Sequence, residues 1–398
     1  MTITDLPVVR LKPKINAQPI RFGAPWVYDD MLVLDRRTRA LAPGSIVTLE
    51  DAERRPLGLG AFNAHSKIIV RLLERDTAAS VDQNWLEAKL TRALSLREQL
   101  YDAPFYRLVH AEADGLPGVI IDRFGDVAVI QPNAAWADVM LDSLVAALTS
   151  VVGVTTIYKN ASGRARGLEG LDEHSTILSG QVDGALDVPM NGAVFRADIL
   201  GGQKTGIFFD QRPNHAFAAR LAEGRDVLDV FSHVGGFGLT ALANGATDTL
   251  AVDGSATALA LAEEGAARSG LAEHFSTRRG DAFDVMGELA AEGRKFGVVI
   301  CDPPAFAPSK QALEAGLRAY ERVARLSSAL VAPGGMLTLC SCSHAADLSK
   351  FRSSCLRGVG KAGRQAQILH VGAAGPDHPV HPALAETSYL KALFLRLD

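Results

Sequence analysis

The stretch "LTLCSCSH" at 337–344 sets the thiols of Cys340 and Cys342 one residue apart, with the imidazole of His344 two residues further on. Four chemistries fit such a set: a metal site, a redox pair, core filling, or a thiol acting as a nucleophile. Zinc asks for four ligands at suitable spacing. Cys340, Cys342 and His344 offer three, in an alternation that a strand places awkwardly. A disulfide between residues two apart is sterically poor and needs an oxidising compartment. Core filling is the usual fate of a free cysteine. A nucleophilic thiol near its ordinary pKa of about 8.5 is mostly protonated at neutral pH, so its site must favour the thiolate.

A second set lies upstream in "CDPPAF" (301–306). Asp302 is expected at a strand end, followed by Pro303 and Pro304, which rigidify a turn and hold backbone carbonyls outward. Phe306 adds a flat apolar surface. A carboxylate, outward carbonyls and an aromatic ring together suit a flipped-out nucleobase. They have no evident use in hydride transfer.

A third set lies in "VLDVFSHVGGFGLTA" (227–241), which reads as strand, glycine turn and helix start. Gly235, Gly236 and Gly238 would let backbone approach a ligand closely. "GFGLTA" formally matches the dinucleotide fingerprint. That turn alone leaves NAD-linked oxidoreductase and S-adenosylmethionine-dependent transferase both open. Asp253, ending the next strand in "AVDGS", is placed to accept hydrogen bonds from two ribose hydroxyls. Asp281 in "RGDAF" ends the third strand, where an adenine would lie.

The elements that must position these groups follow from periodicity. From about residue 225, strands alternate regularly with helices: the apolar "DVLDVFS", then "DTLAVDGS", "FSTRRGDAF", "FGVVICDPP" and "GMLTLCSCS" each precede a helical pattern. That alternation predicts an α/β domain with a doubly wound, mainly parallel sheet, whose ligands sit beyond the carboxyl ends of the strands. "QAQILHV" and "SYLKALFLRL" close the chain without a helix between them, which predicts an antiparallel terminal pair. If the fourth and fifth strands are neighbours, Asp302 and Cys342 end about one strand spacing, roughly 5 Å, apart.

Upstream, "SIVTLED", "LGLGAFN" and "KIIVRLLE" predict a β-rich module over 1–75. Residues 82–101 have helical spacing at Trp85, Leu86, Leu90, Leu94 and Leu100. Strands, a helix near 135–150 and the strand "VTTIYKN" complete a mixed α+β middle domain, giving divisions at 1–75, 76–185 and 186–398.

The 398 residues exceed one ordinary core, and a composition 47% hydrophobic and 22% charged is that of a globular protein. No run approaches the length of a membrane span, and the N-terminus lacks the apolar core of a signal peptide, so a cytoplasmic protein is expected. All four cysteines lie in the last quarter, where a cytoplasm keeps them reduced. The net charge of −4 conceals an uneven split: residues 1–75 carry a surplus of +4 and the remainder −8. A basic head on an acidic body points to a local polyanion contact.

"GGQKTGIFFDQRPNH", "VLDVFSHVGGFGLTA", "CDPPAFAPSK" and "SCSH", in this order, resemble the large-subunit (23S) ribosomal RNA cytosine-5 methyltransferases of the I type. "RLVHAEADGLPGVIIDRFGD" resembles the same family, and the N-terminal module with "GAPWVYDD" is similar to a PUA RNA-binding domain. The resemblance implies a class I, Rossmann-like methyltransferase fold, S-adenosylmethionine as cofactor and 23S ribosomal RNA as partner; the sequence is compatible with a homodimer, and the ligand count above argues against a metal. It implies that "KTGIFFDQR" caps the cofactor through Phe208, Asp210, Gln211 and Arg212, with Asp229 and Phe231 of "VLDVFS" joining the cofactor set. Pro303, Pro304 and Phe306 would meet the base. The family's nucleophile lies in a Ser-Cys-Ser match, here 341–343, which makes Cys342 the catalytic candidate beside Asp302 and leaves Cys301, Cys340 and Cys355 as core. Where two-cysteine relatives carry a second cysteine this chain has Ala305, so the base that removes the carbon 5 proton has no candidate. Two other readings use the same residues differently: an amino-directed base methyltransferase that ignores Cys342, and a non-catalytic RNA-binding assembly factor.

Overall fold

The structure, a computed structural model, describes residues 6–202 and 206–398. Its chain groups into two compact units, one of 1–183 with 377–385 and one of 184–376 with 386–398.

The first unit contains two five-stranded sheets. In the first, Ser45–Glu50, Pro56–Phe62 and Val70–Glu74 form an antiparallel meander. Val8–Arg10 adds to one edge in parallel and Trp26–Val27 to the other. The meander matches the three expected strands; the two edge strands are too short to show a period. The second sheet runs Thr176–Ser179, Thr156–Lys159, Val127–Pro132, Val119–Phe124, Phe105–His110. The helix Gln83–Leu100 packs on it through Trp85, Leu86 and Leu90, and Asp82 caps its start by accepting from the Trp85 amide. The helix expected near 135–150 is broken: Ala135–Val139 and Leu141–Ala147 meet at Met140, whose backbone (φ −98°, ψ 17°) leaves the helical region.

Charged groups tie the first sheet to the rest of its unit. Arg71 reaches Glu112 and Glu169, both at 3.0 Å, and these three side chains are largely buried. Trp26 Nε1 donates to Glu112 at 2.8 Å, and Asn63 and Ser66 donate to Glu169. Residues 377–385 join this unit, where the Asp377 carboxylate accepts from the Arg107 amide and its carbonyl from Arg97.

The second unit is built on a seven-stranded sheet in the order Phe275–Arg279, Thr249–Asp253, Val227–Val230, Phe296–Cys301, Val331–Ser341, Lys391–Leu397, Ala366–Gly372. The first five strands are parallel and the last two antiparallel, as the missing helix between them predicts. Strands covered on both faces need apolar residues on both sides, and Val227–Val230 is buried throughout. Helices flank the sheet, and three of them start on a side-chain cap, at Ser255, Asp281 and Asp347. The order reverses between Val227–Val230 and Phe296–Cys301, the switch point where ligands of open α/β sheets bind. Among the described residues no helix is long and apolar enough to cross a membrane.

Candidate active site

The chain leaves the strand Val227–Val230 through a strained turn. Phe231 and His233 take positive φ values of 63° and 49°, and Gly235 follows at 80° before the helix Gly236–Ala243 begins. Non-glycine residues in that region cost energy and cluster at functional sites. Gly236 and Gly238 are required by the protein's own packing: a Cβ at Gly236 would sit 2.7 Å from the His215 ring, and one at Gly238 2.7 Å from Thr249 Cγ2.

Asp229 lies under this turn and is buried. Its Oδ2 accepts from the Gly238 amide at 2.8 Å, while Oδ1 has no hydrogen-bond partner among the described residues. Burial pushes its carboxyl up to about 7, with the charges of Asp302 and Asp253 adding and the Gly238 N–H opposing. A buried acceptor lacking a donor asks for a ligand that brings one. Asp253, at the next strand end, accepts from the His233 amide on Oδ2 (2.9 Å) and from the Ser255 amide on Oδ1 (2.8 Å). Those bonds fix the carboxylate, and each oxygen retains a second lone pair for a hydroxyl. Asp281 stands two residues past its strand and caps the helix Ala282–Ala291, its Oδ1 accepting from Phe283 and Asp284. Phe231 meets Phe283 and Phe306 edge-on, both at 6.4 Å.

The segment before the helix Arg212–Ala222 converges on the same strand ends. Phe208 stands edge-on to His233 at 5.0 Å. Asp210 is buried, its Oδ2 accepting from the Tyr389 hydroxyl at 2.6 Å, and its Oδ1 has no partner among the described residues. Gln211 donates to Asp302 Oδ2 at 2.9 Å and accepts from Asn214 at 2.6 Å. Arg212 lies over the Phe209 ring. Lys204 and Thr205 of the expected capping segment lie outside the described residues.

The two thiols fare differently. Strand register pairs Cys301 with Leu339, so Asp302 stands level with Cys340, and Cys342 lies two residues further toward the carboxyl edge. The strand spacing expected between Asp302 and Cys342 therefore belongs to Asp302 and Cys340. A register shift between Phe296 and Val298 shortens this stagger, since the pairing of Phe296 with Val331, continued unshifted, would leave Cys342 five residues beyond Asp302. Cys340, Cys301 and Cys355 are buried, and burial drives each thiol far above its ordinary value. Cys342 is half-buried and is the one cysteine of the four with a partly open face.

Its neighbours are pinned. Ser341 and Ser343 are buried on either side; Ser341 Oγ donates to the Tyr320 hydroxyl at 2.8 Å, and Ser343 Oγ lies 2.7 Å from the same hydroxyl. Ser343 Oγ also accepts from the Ala307 amide at 2.9 Å, joining the Cys342 turn to the "DPPAFA" loop. In that loop Pro303 is buried, Pro304 exposed, and Phe306 half-buried 5.1 Å from Tyr320. Lys391 pairs in register with Ser341 and donates to the carbonyls of Ser343 (2.6 Å) and Ala346 (2.7 Å). Sequence reasoning missed Tyr320, Lys391 and Tyr389. Tyr320 gave no signal beyond helical core spacing, whereas a lysine inside the apolar run "YLKALFLRL" is a signal that was there to read.

Residues 146–396 match the S-adenosylmethionine-dependent methyltransferase family and residues 9–75 the PUA-like domain family. The ribosomal RNA large subunit methyltransferase I of Aeromonas hydrophila is 35% identical over 94% of this chain and 95% of its own. The ribosomal RNA large subunit methyltransferase of Deinococcus radiodurans is 33% identical over 99% of each chain. Two solved structures share the fold at a TM-score of 0.81: a chain from Streptococcus mutans assigned to the SAM-dependent methyltransferases (20% identical, covering 98% of this chain and all of that one), and SMU.776 complexed with SAH (21% identical, 98% and 99%).

Proposed function

This chain belongs to the ribosomal RNA large subunit methyltransferase I family, an S-adenosylmethionine-dependent group, and on that premise we propose that it methylates carbon 5 of a cytosine in 23S ribosomal RNA through an adduct at Cys342. The observation that carries the reading is the half-buried Cys342 thiol, held at the carboxyl edge of the sheet between two buried serines.

Bound S-adenosylmethionine supplies the electrophilic methyl group. Asp253 would take its ribose hydroxyls, Asp281 would face its adenine, and Asp229 would offer its unpartnered oxygen to a donor of the cofactor. Gly235, Gly236, Gly238 and Phe231 shape that floor, and Phe208, Asp210, Gln211 and Arg212 cover it.

Carbon 5 of cytosine is a poor nucleophile. The Cys342 thiolate adds to carbon 6 and turns the ring into an enamine, whose carbon 5 takes the methyl group. Loss of the carbon 5 proton then restores the double bond and expels the thiolate. Asp302, oriented by Gln211, would hold the ring edge, with Pro303, Pro304 and Phe306 shaping the wall. Looped RNA must be held while one base swings into this pocket. We assign that task to residues 1–75, read as a PUA-type domain ahead of a middle domain at 76–185 and a catalytic domain at 186–398, in a cytoplasmic enzyme.

The paired variants Cys342→Ala and Cys340→Ala test the reading. The first is expected to abolish methyl transfer with S-adenosylmethionine affinity nearly unchanged, and the second to retain activity. Near-parental methylation by Cys342→Ala would move the reading to amino-directed transfer.

A further inference from the structure

Lys391 is an unusual residue for its place. It is only 7% exposed, on a strand whose other residues are apolar apart from Arg396. Buried ammonium groups are ordinarily paired with an anion, because taking a lone charge out of water is costly. Lys391 has no carboxylate within ion-pair reach among the described residues; its two hydrogen bonds go to the neutral carbonyls of Ser343 and Ala346. An ammonium has three donors, so two bonds to carbonyls leave its charge uncompensated.

The group placed to compensate it is Cys342. Lys391 stands opposite Ser341 in the antiparallel ladder and bonds the carbonyl of Ser343, so it touches the residues on both sides of Cys342. We propose that the Cys342 thiolate is the counter-ion of Lys391, and that Lys391 is the residue that holds this thiol ionised for attack. This rests on the reading of Cys342 as nucleophile and adds the source of its activation.

The other charged and titratable groups around the turn do not supply it. Asp302 stands level with Cys340, and its negative charge disfavours a second anion there. Tyr320 is engaged by Ser341 and Ser343. Asp347 caps the helix Leu348–Lys361 and pairs with Lys350. His344 is exposed, its ring 5.6 Å from that of Tyr389. Burial lowers the Lys391 pKa, and the charge of Cys342 is the leading influence raising it, with Asp347 second.

The test is the pH profile of Cys342 alkylation by iodoacetamide, read on that residue by mass spectrometry in the full-length protein without RNA. The three other thiols are buried, so Cys342 reacts first. Lys391→Met is expected to raise the alkylation midpoint by about one pH unit or more. Lys391→Gln keeps amide donors for the two carbonyls and removes the charge, and it is expected to show the same rise. Lys391→Arg, always charged, is expected to keep the midpoint near the parent value. An unchanged midpoint in Lys391→Met and Lys391→Gln overturns the counter-ion, as does a midpoint that rises only when folding, followed by circular dichroism, is lost. Because this readout needs no methyl transfer, its failure is separable from that of the covalent reading, which the Cys342→Ala activity decides alone.

Discussion

Ser341 Oγ lies 2.8 Å from the Tyr320 hydroxyl, and Ser343 Oγ lies 2.7 Å from the same atom. One phenol on the helix Leu313–Ser328 thus grips both residues flanking Cys342. The Ala307 amide, bonded to Ser343 Oγ, extends that grip to the loop that begins at Asp302.

Tyr320→Phe removes the shared hydroxyl and leaves buried serine oxygens short of a partner. An unsatisfied buried polar group costs about 1–3 kcal/mol, so a lower melting temperature is expected. Methyl transfer should fall about tenfold or more, since a small displacement of a reacting group is costly. S-adenosylmethionine affinity, measured by calorimetry, should stay near the parent value because Tyr320 holds the thiol turn.

Asp229 gives the protein a pH signature of unusual sign. Its carboxyl is raised in the folded state, to about 7 from an ordinary 3.8. Above the lower value the unfolded chain sheds this proton while the folded chain keeps it, so this group favours folding less as pH rises through that window. Beyond about pH 7 the loss is complete. Urea unfolding at about pH 5 and about pH 8 should show Asp229→Asn gaining on the parent at the higher pH. Saturating S-adenosylmethionine should narrow that gap if a cofactor donor meets the unpartnered Oδ1.

The basic head is better tested by point changes than by removal. Cutting away residues 1–75 would strip Arg71 from the buried carboxylates of Glu112 and Glu169 and leave both uncompensated. Arg36, Arg37 and Arg39 are exposed on one short helix and take no part in that network. Replacing all three with alanine should weaken binding of ribosomal RNA fragments. It should reduce the slope of log affinity against log salt by up to about 2, at roughly 0.7 for each single-strand phosphate no longer neutralised. An unchanged slope would give the PUA-like sheet a purely structural role.

The seven-stranded sheet was legible because four of its five parallel strands are apolar runs and each of the five is followed by a helical period, the exception being the edge strand Phe275–Arg279. The two terminal strands were legible from the lack of a helix between them. The hairpin Leu186–Met190 and Ala193–Ala197 went unread although Asn191 and Gly192, both at positive φ, form the dipeptide such a turn prefers. The strand-end aspartates Asp253 and Asp302 could be read because Gly254 and Pro303 follow them and mark where the strands stop. The partner of Asp302 across the sheet could not, because a single register shift moves every pairing beyond it. Tyr320 was invisible for another reason: one face of a helix reads as core whether or not its hydroxyl has work to do.

The central claim, a covalent bond between Cys342 and the target base, is tested most directly with a ribosomal RNA substrate carrying 5-fluorocytosine. Fluorine at carbon 5 cannot leave as a proton does, so an adduct formed at carbon 6 is trapped. The account predicts a denaturation-resistant protein–RNA complex that requires S-adenosylmethionine, maps by peptide mass to Cys342 and is absent from Cys342→Ala. A parent enzyme that methylates the ordinary RNA yet forms no such complex, or one that forms it at another residue, would contradict the account.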